Sequence, residues 1–219
     1  MLSFTTSTGG PMVTMREAVQ QYFRDNKFGE DGGYSAKWVD FKLGPIPFPL
    51  PNSEGRKKAV KFHDLNHVLT GYRTDFGGEC EISAWELGAG CFDFPAALAL
   101  NLGGLTGGVL FQPLKTFRAF VAGRRSRHAA YAMNYEYALG REVQDVRDQL
   151  GITTEGKATV GDAVAFTAAT IGGAIVGTLM MAVLLSPISL VMWWRGRRLR
   201  DASAAAPSLE TTAPQALAK

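Results

Sequence analysis

Three histidines occur in this chain of 219 residues, and two of them stand four apart beside an aspartate, in the stretch HDLNHVLTGYRTDFGGE that begins at His63. On a helix that spacing puts both imidazoles on one face, where His63 and His67 can grip a single ion. Asp64 points about 100° round the helix, so it can ligate at the margin or orient a histidine from behind. Glu79 follows His67 after a gap of eleven residues, at the expected start of the next helix, and can fold back as a further ligand. The candidate metal set is therefore His63, Asp64, His67 and Glu79, and whichever of Glu79 and Asp64 is free of the metal could move a proton. Mixed nitrogen and oxygen donors suit zinc, iron, manganese or cobalt, and spacing does not choose among them. The competing reading has the histidines capping or packing, with solvated carboxylates.

Other chemistries that use such residues fit less well. A zincin protease needs glutamate directly after the first histidine, where Asp64 is shorter. A His-Asp phosphohydrolase needs a further upstream histidine, and none precedes His63; the Glu-x-x-His of four-helix di-iron proteins is absent. Glu86, seven residues after Glu79 and on the same helical face, reads equally as a group behind the ligands or as a solvated charge.

The elements that must position these residues read as helices. Apolar residues recur at helical spacing over 12–28, including Val13, Ala18, Val19, Tyr22 and Phe23. Four prolines between 45 and 51 exclude a helix there and predict an extended connector. No proline or glycine interrupts Arg56 to Thr70, and Gly71 stands where a C-cap belongs, which puts the histidine motif on a helix. A second helix is predicted from near Glu79 to about Leu87. Residues 95–111 are apolar, with Gly103 and Gly107, and Gly104 and Gly108, at the spacing that lets helices approach closely, and a buried core helix is the expectation. A charged amphipathic helix is predicted over 128–150.

The tract from Val160 to Trp194 carries a single charge, Asp162, in 35 residues and reads as a membrane segment closed by Trp193, Trp194 and the basic run RGRRLR. One span from about Ile171 to Trp194 fits its length best, but cytoplasmic arginines would then leave the metal domain outside. A tight hairpin near Gly172, Gly173 or Gly177, a second crossing at 95–111, or a helix lying in the interface would avoid this. The fold class is thus all-α, with residues 1–11 flexible, 12–153 a helical metal-binding domain, 160–195 a membrane segment, and 196–219 basic and then disordered. The arginine cluster Arg124 to Arg127, with His128, is expected to face headgroups or solvent.

Net charge is only +3, which gives no case for nucleic acid. Two cysteines, Cys80 and Cys91, make no disulfide framework and suggest a reducing compartment. The N-terminus lacks the charged stretch and apolar core of a cleaved secretory signal.

The motif resembles the signature of the coenzyme Q biosynthesis protein four family: H-D-x-x-H, eleven residues, then Glu, with TG after the second histidine and GE at the end. The likeness continues through EISAWELG and YALGREVQDVRDQLGI and covers roughly residues 12–153. It departs in two places, at AVKF before His63, where the family carries arginines, and in the hydrophobic tract after Gly151. The resemblance implies a mostly helical protein at a quinone-bearing membrane, with a divalent metal, zinc first, on His63, Asp64, His67 and Glu79. It implies oxidative removal of the ring carboxylate from a polyprenylated benzoate-type precursor, leaving a hydroxyl, and contacts with other quinone-biosynthesis proteins. The place expected is the bacterial inner membrane, metal domain on the cytoplasmic face, rather than the mitochondrial one. The alternative is a non-catalytic, membrane-tethered prenyl-lipid scaffold with a structural metal; a metal-dependent ester hydrolase is a third class. Homo-oligomerisation through the glycine faces is a further expectation.

Overall fold

A computed structural model describes residues 13–43, 46–184, 186, 191, 193–195 and 197–198. The expectations for residues 1–11 and for the end of the tail lie outside the described residues.

The chain is mostly helical. Helix α1 (Met15–Asn26) opens with a capping box, in which Thr14 accepts from the Glu17 amide while Glu17 returns to the Thr14 backbone. The proline-rich connector is extended as expected, and its strand β2 (Ile46–Pro51) pairs antiparallel with β1 (Trp38–Leu43), adding a two-stranded sheet to the all-α expectation. Helix α2 (Glu54–Thr70) is capped by Ser53 and ends at Gly71, whose φ of +76° is the left-handed conformation a side chain would resist. Helix α3 (Phe76–Ala89) begins a turn before the expected Glu79, because Asp75 accepts from the Gly78 amide and fixes the first turn earlier.

Helix α4 (Pro95–Phe111) and α5 (Pro113–Arg125) follow, each with proline in its first turn. The predicted helix over 128–150 is broken into a 3-10 turn (Ala130–Ala132), α6 (Tyr135–Leu139) and α7 (Val143–Leu150). Asn134 caps α6 and Gly140 ends it, so local capping overrides the longer periodicity. Helix α8 runs unbroken from Val160 to Leu184. No turn occurs at Gly172, Gly173 or Gly177, and the tight-hairpin topology is thereby corrected. Among the described residues, its stretch Val160–Leu179 is long and apolar enough to cross a membrane, and the expected span from Ile171 to Trp194 runs partly outside the described residues.

Packing explains the glycines. A Cβ on Gly123 would lie 2.0 Å from the Trp85 carbonyl oxygen and one on Gly88 would lie 2.3 Å from that of Phe120, so α3 and α5 cross with backbones nearly touching. Helix α4 returns antiparallel along α3, with Gly104 against Ser83 and Gly107 against Cys80. Helix α8 lies parallel to α4, with Gly173 against Leu102 and Gly177 against Thr106. Gly104, Gly107 and Gly108, from the faces expected to join two copies, thus pack inside this chain. At the head of α8, buried Asp162 takes Arg124 and Arg125 together with the Thr159 hydroxyl and amide, so those arginines are engaged by protein rather than by headgroups. The core beneath gathers Met15, Phe62, Leu65, Leu69, Trp85 and Leu105.

Candidate metal centre

Helix α2 delivers both histidines to the groove it shares with α3, and Glu79 reaches them from the first turn of α3. Nε2 of His63 and Nε2 of His67 lie 3.1 Å apart; Glu79 Oε2 is 3.2 Å from the first and Glu79 Oε1 is 3.4 Å from the second. Three donors bound to one ion at about 2.0–2.1 Å with tetrahedral angles would be separated by about 3.3 Å. The three side chains are therefore spaced as ligands about a shared centre, and together they form a group able to hold a metal ion.

Their outer atoms fix which nitrogen is offered. Nδ1 of His63 lies 2.9 Å from Glu86 Oε1, and Nδ1 of His67 lies 2.9 Å from the Tyr72 carbonyl oxygen. Each oxygen can only accept, so each Nδ1 carries the hydrogen and each Nε2 is left to face the centre. Tyr22 stacks on His67, centroids 5.6 Å apart and planes at 24°, which holds the ring's remaining rotation.

Glu86 settles the choice left open by the sequence: it is fully buried. Its Oε1 accepts from His63 and, at 2.8 Å, from Asn66; its Oε2 accepts from Asn101 at 2.5 Å and from Tyr131 at 2.9 Å. Four donors from α2, α4 and the 3-10 turn satisfy a carboxylate that would otherwise be prohibitively costly to bury. Burial alone would raise the Glu86 carboxyl, but His63 and these donors hold it below the ordinary range.

Asp64 stands differently. Its carboxylate is buried, accepting from Tyr22 Oη at 3.2 Å and from the Tyr34 hydroxyl. It lies outside the converging group of His63, His67 and Glu79. Burial pushes its carboxyl up, against the pull of Tyr34, the two histidines and Tyr22. Burial acts in the same sense on Glu79, but the hydrogen bonds and charges of His63 and His67 carry that carboxyl down to about 2. On His63 burial opposes a charge, yet Glu86 and Glu79, one at each ring nitrogen, hold it well above its usual value. A field that favours a proton on Nε2 also favours a divalent cation, which competes for the same lone pair.

A cleft of about 330 Å³ opens beside His67, lined by Tyr22, Val68, Tyr72, Arg73 and Thr74 among others. A larger one, about 880 Å³, lies on the other flank of α2, where Lys58 sits over Phe94 and Lys61 over Tyr34 and Tyr135. Sequence reasoning did not find Tyr22, Tyr34, Asn66, Asn101 or Tyr131 as parts of the site. The one available signal was Asn101, a strongly polar residue alone in the apolar run of α4.

Comparison with family models, curated proteins and solved structures finds no match.

Proposed function

We propose that the chain is a membrane-associated, metal-dependent enzyme of quinone biosynthesis that replaces the ring carboxylate of a polyprenylated benzoate-type acid with a hydroxyl group. The observation that carries this reading is the convergence of His63, His67 and Glu79 at 3.1 to 3.4 Å, two imidazoles and one carboxylate. Three protein ligands leave room for substrate, as in catalytic rather than closed structural sites. A metal held there supplies a Lewis acid that can bind the substrate carboxylate and stabilise charge developing on the ring as carbon dioxide leaves. Zinc is the resemblance's first choice; the donor set equally admits iron, manganese or cobalt.

The chain's own residues do the rest. Glu86 and the Tyr72 carbonyl set the histidine tautomers. Asp64, accepting from Tyr22 and Tyr34 beside the ligands, is placed to pass a proton. The cleft beside His67 is the candidate seat of the ring, and the apolar helices α4 and α8 offer a surface for the prenyl tail. Ring hydroxylation with loss of carbon dioxide is a two-electron oxidation, so dioxygen and a two-electron donor enter as co-substrates.

A second reading has the metal as a staple in a prenyl-lipid scaffold, favoured by the way the Glu86 network already ties α2 to α4 and Tyr131. Purified protein with metal, a prenylated hydroxybenzoate, dioxygen and reductant separates the two. Hydroxylated product and carbon dioxide that disappear in His63→Ala, together with the metal, are expected; product formed by metal-free His63→Ala would sink the proposal, and a metal-replete protein without turnover would leave the scaffold.

A further inference from the structure

One end of the helical bundle gathers exposed apolar side chains. At that end the start of α3, the end of α4 and the start of α5 meet. Gln112, the single residue between α4 and α5, donates from Nε2 to the Gly77 carbonyl at 2.6 Å, and Phe76 meets Phe111 edge to face at 5.5 Å. Four large apolar side chains stand out into solvent there: Phe76 (61% exposed), Leu110 (72%), Phe111 (74%) and Leu114 (71%). Single exposed apolar residues are ordinary, but four gathered on one tip are a patch that calls for a partner. At the far end lie Asp162 with Arg124 and Arg125, then exposed Arg127, His128, Glu155 and Lys157.

Two observations identify the partner. Helix α8 runs parallel to α4 with Gly177 opposite Thr106, so one further turn brings it level with Leu110 at the apolar end. Its outward row, Val164, Ile171, Ile175 and Leu179, is exposed and leads to that tip, making one apolar surface with it. Behind the tip stand the exposed cations Arg73, Lys115 and Arg118, with Asp75 paired to Arg73 at 2.7 Å. An apolar point with a cationic collar suits a bilayer, where rings and aliphatic groups enter the acyl region and lysine and arginine stay at the phosphates.

We infer that the α4–α5 turn, with Phe76, is a membrane-penetrating tip that enters the same lipid surface as α8. This rests on the reading that α8 is held by lipid, and is independent of the chemistry assigned to the metal. Glu79 lies three residues beyond Phe76, so a tip in the acyl region sets the metal group about one helical turn above it. A prenylated substrate would then reach His67 from the bilayer without its tail crossing water.

The test uses the full chain with an environment-sensitive fluorophore on an introduced cysteine, in vesicles of phosphatidylcholine with a minority of phosphatidylglycerol and a nitroxide-bearing phospholipid. The native Cys80 and Cys91 are buried. Labels go at Phe111→Cys and, as a second tip position, Leu110→Cys; Leu179→Cys reports α8 and Glu155→Cys the far end. Several-fold stronger quenching at Phe111→Cys, Leu110→Cys and Leu179→Cys than at Glu155→Cys is expected. Quenching at Leu179→Cys alone overturns the tip while leaving α8 in lipid. No quenching at any of the three overturns both. A tip label shielded from water but untouched by the nitroxide, and cross-linking to a second copy, overturns it in favour of an interface between chains.

Discussion

Replacing Glu86 by Gln keeps the size of the side chain and removes its charge, and the structure sets how much should follow. Four donors converge on two oxygens, His63 and Asn66 on one, Asn101 and Tyr131 on the other. An amide offers one acceptor oxygen, so one pair of donors must face an NH2 group. Hydrogen bonds to a charged group are worth roughly 1.5–3 kcal/mol each. Tyr131 can rotate its hydroxyl to accept instead, and a neutral amide is cheaper to bury than a carboxylate. The net destabilisation should therefore be about 2–3 kcal/mol, which for a chain of this size lowers Tm by about 5–10 °C.

The sharper effect is on the metal. If the NH2 faces His63, its Nδ1 must turn acceptor and Nε2 must carry the hydrogen, which removes the ligand; if the oxygen faces it, the imidazole still loses the basicity lent by a carboxylate. Losing such a supporting group typically weakens metal binding 10- to 100-fold, about 1.4–2.7 kcal/mol. Competition against a chromophoric chelator in detergent measures this, and the visible spectrum of the cobalt form reports whether the ligand set survives. A merely structural Glu86 would lower Tm and leave affinity and spectrum alone. Metal affinity in Glu86→Gln within about twofold of the parent would refute the argument that the pair Glu86–His63 fixes the offered nitrogen.

Further expectations follow from particular contacts. Elemental analysis of Asp64→Asn should find the metal retained, because Asp64 is engaged by Tyr22 and Tyr34, whereas His67→Ala and Glu79→Ala should lose it; loss in Asp64→Asn would return Asp64 to the ligand set. Gly123→Ala forces a Cβ to within 2.0 Å of the Trp85 carbonyl and should destabilise by at least the roughly 1–3 kcal/mol usual for overpacking, while Gly55→Ala, with open space around it, should be neutral or slightly stabilising in thermal melts. Cys80 and Cys91 are each 1% exposed, and burial pushes their thiols up to about 11 and about 12. Both should resist a disulfide reagent at mildly alkaline pH until denaturant is added. Since the unfolded thiols ionise at about 8.5 and the folded ones hold their protons well above that, stability should fall as pH climbs beyond 8.5, and a melt that improves there would contradict the burial.

What the sequence reveals here is what local spacing controls. The gap of four between His63 and His67, the cap Ser53 and the stop Gly71 all act within one helix, and α2 forms as its residues dictate. Glu79 was legible for a similar reason, since Asp75 starts α3 close by and the loop between is short. Asp64 was not, because its direction is decided by Tyr22 and Tyr34, 42 and 30 residues upstream, which meet it only once α1 and the following loop pack on α2. Helix α5 also escaped notice, only its arginine end being read, as a cluster facing headgroups or solvent. Its arginines are needed by Asp162, a partner 37 or 38 residues downstream. The more general lesson lies in Asn101. A primary amide in a run of 17 otherwise apolar or small residues cannot be buried without partners except at a cost of roughly 1–3 kcal/mol, so its presence already implies a charged or polar acceptor on whatever packs against α4. That acceptor is Glu86, which also accepts from His63, and a polar residue out of place in one helix thus leads through two hydrogen bonds to the candidate metal group between two others.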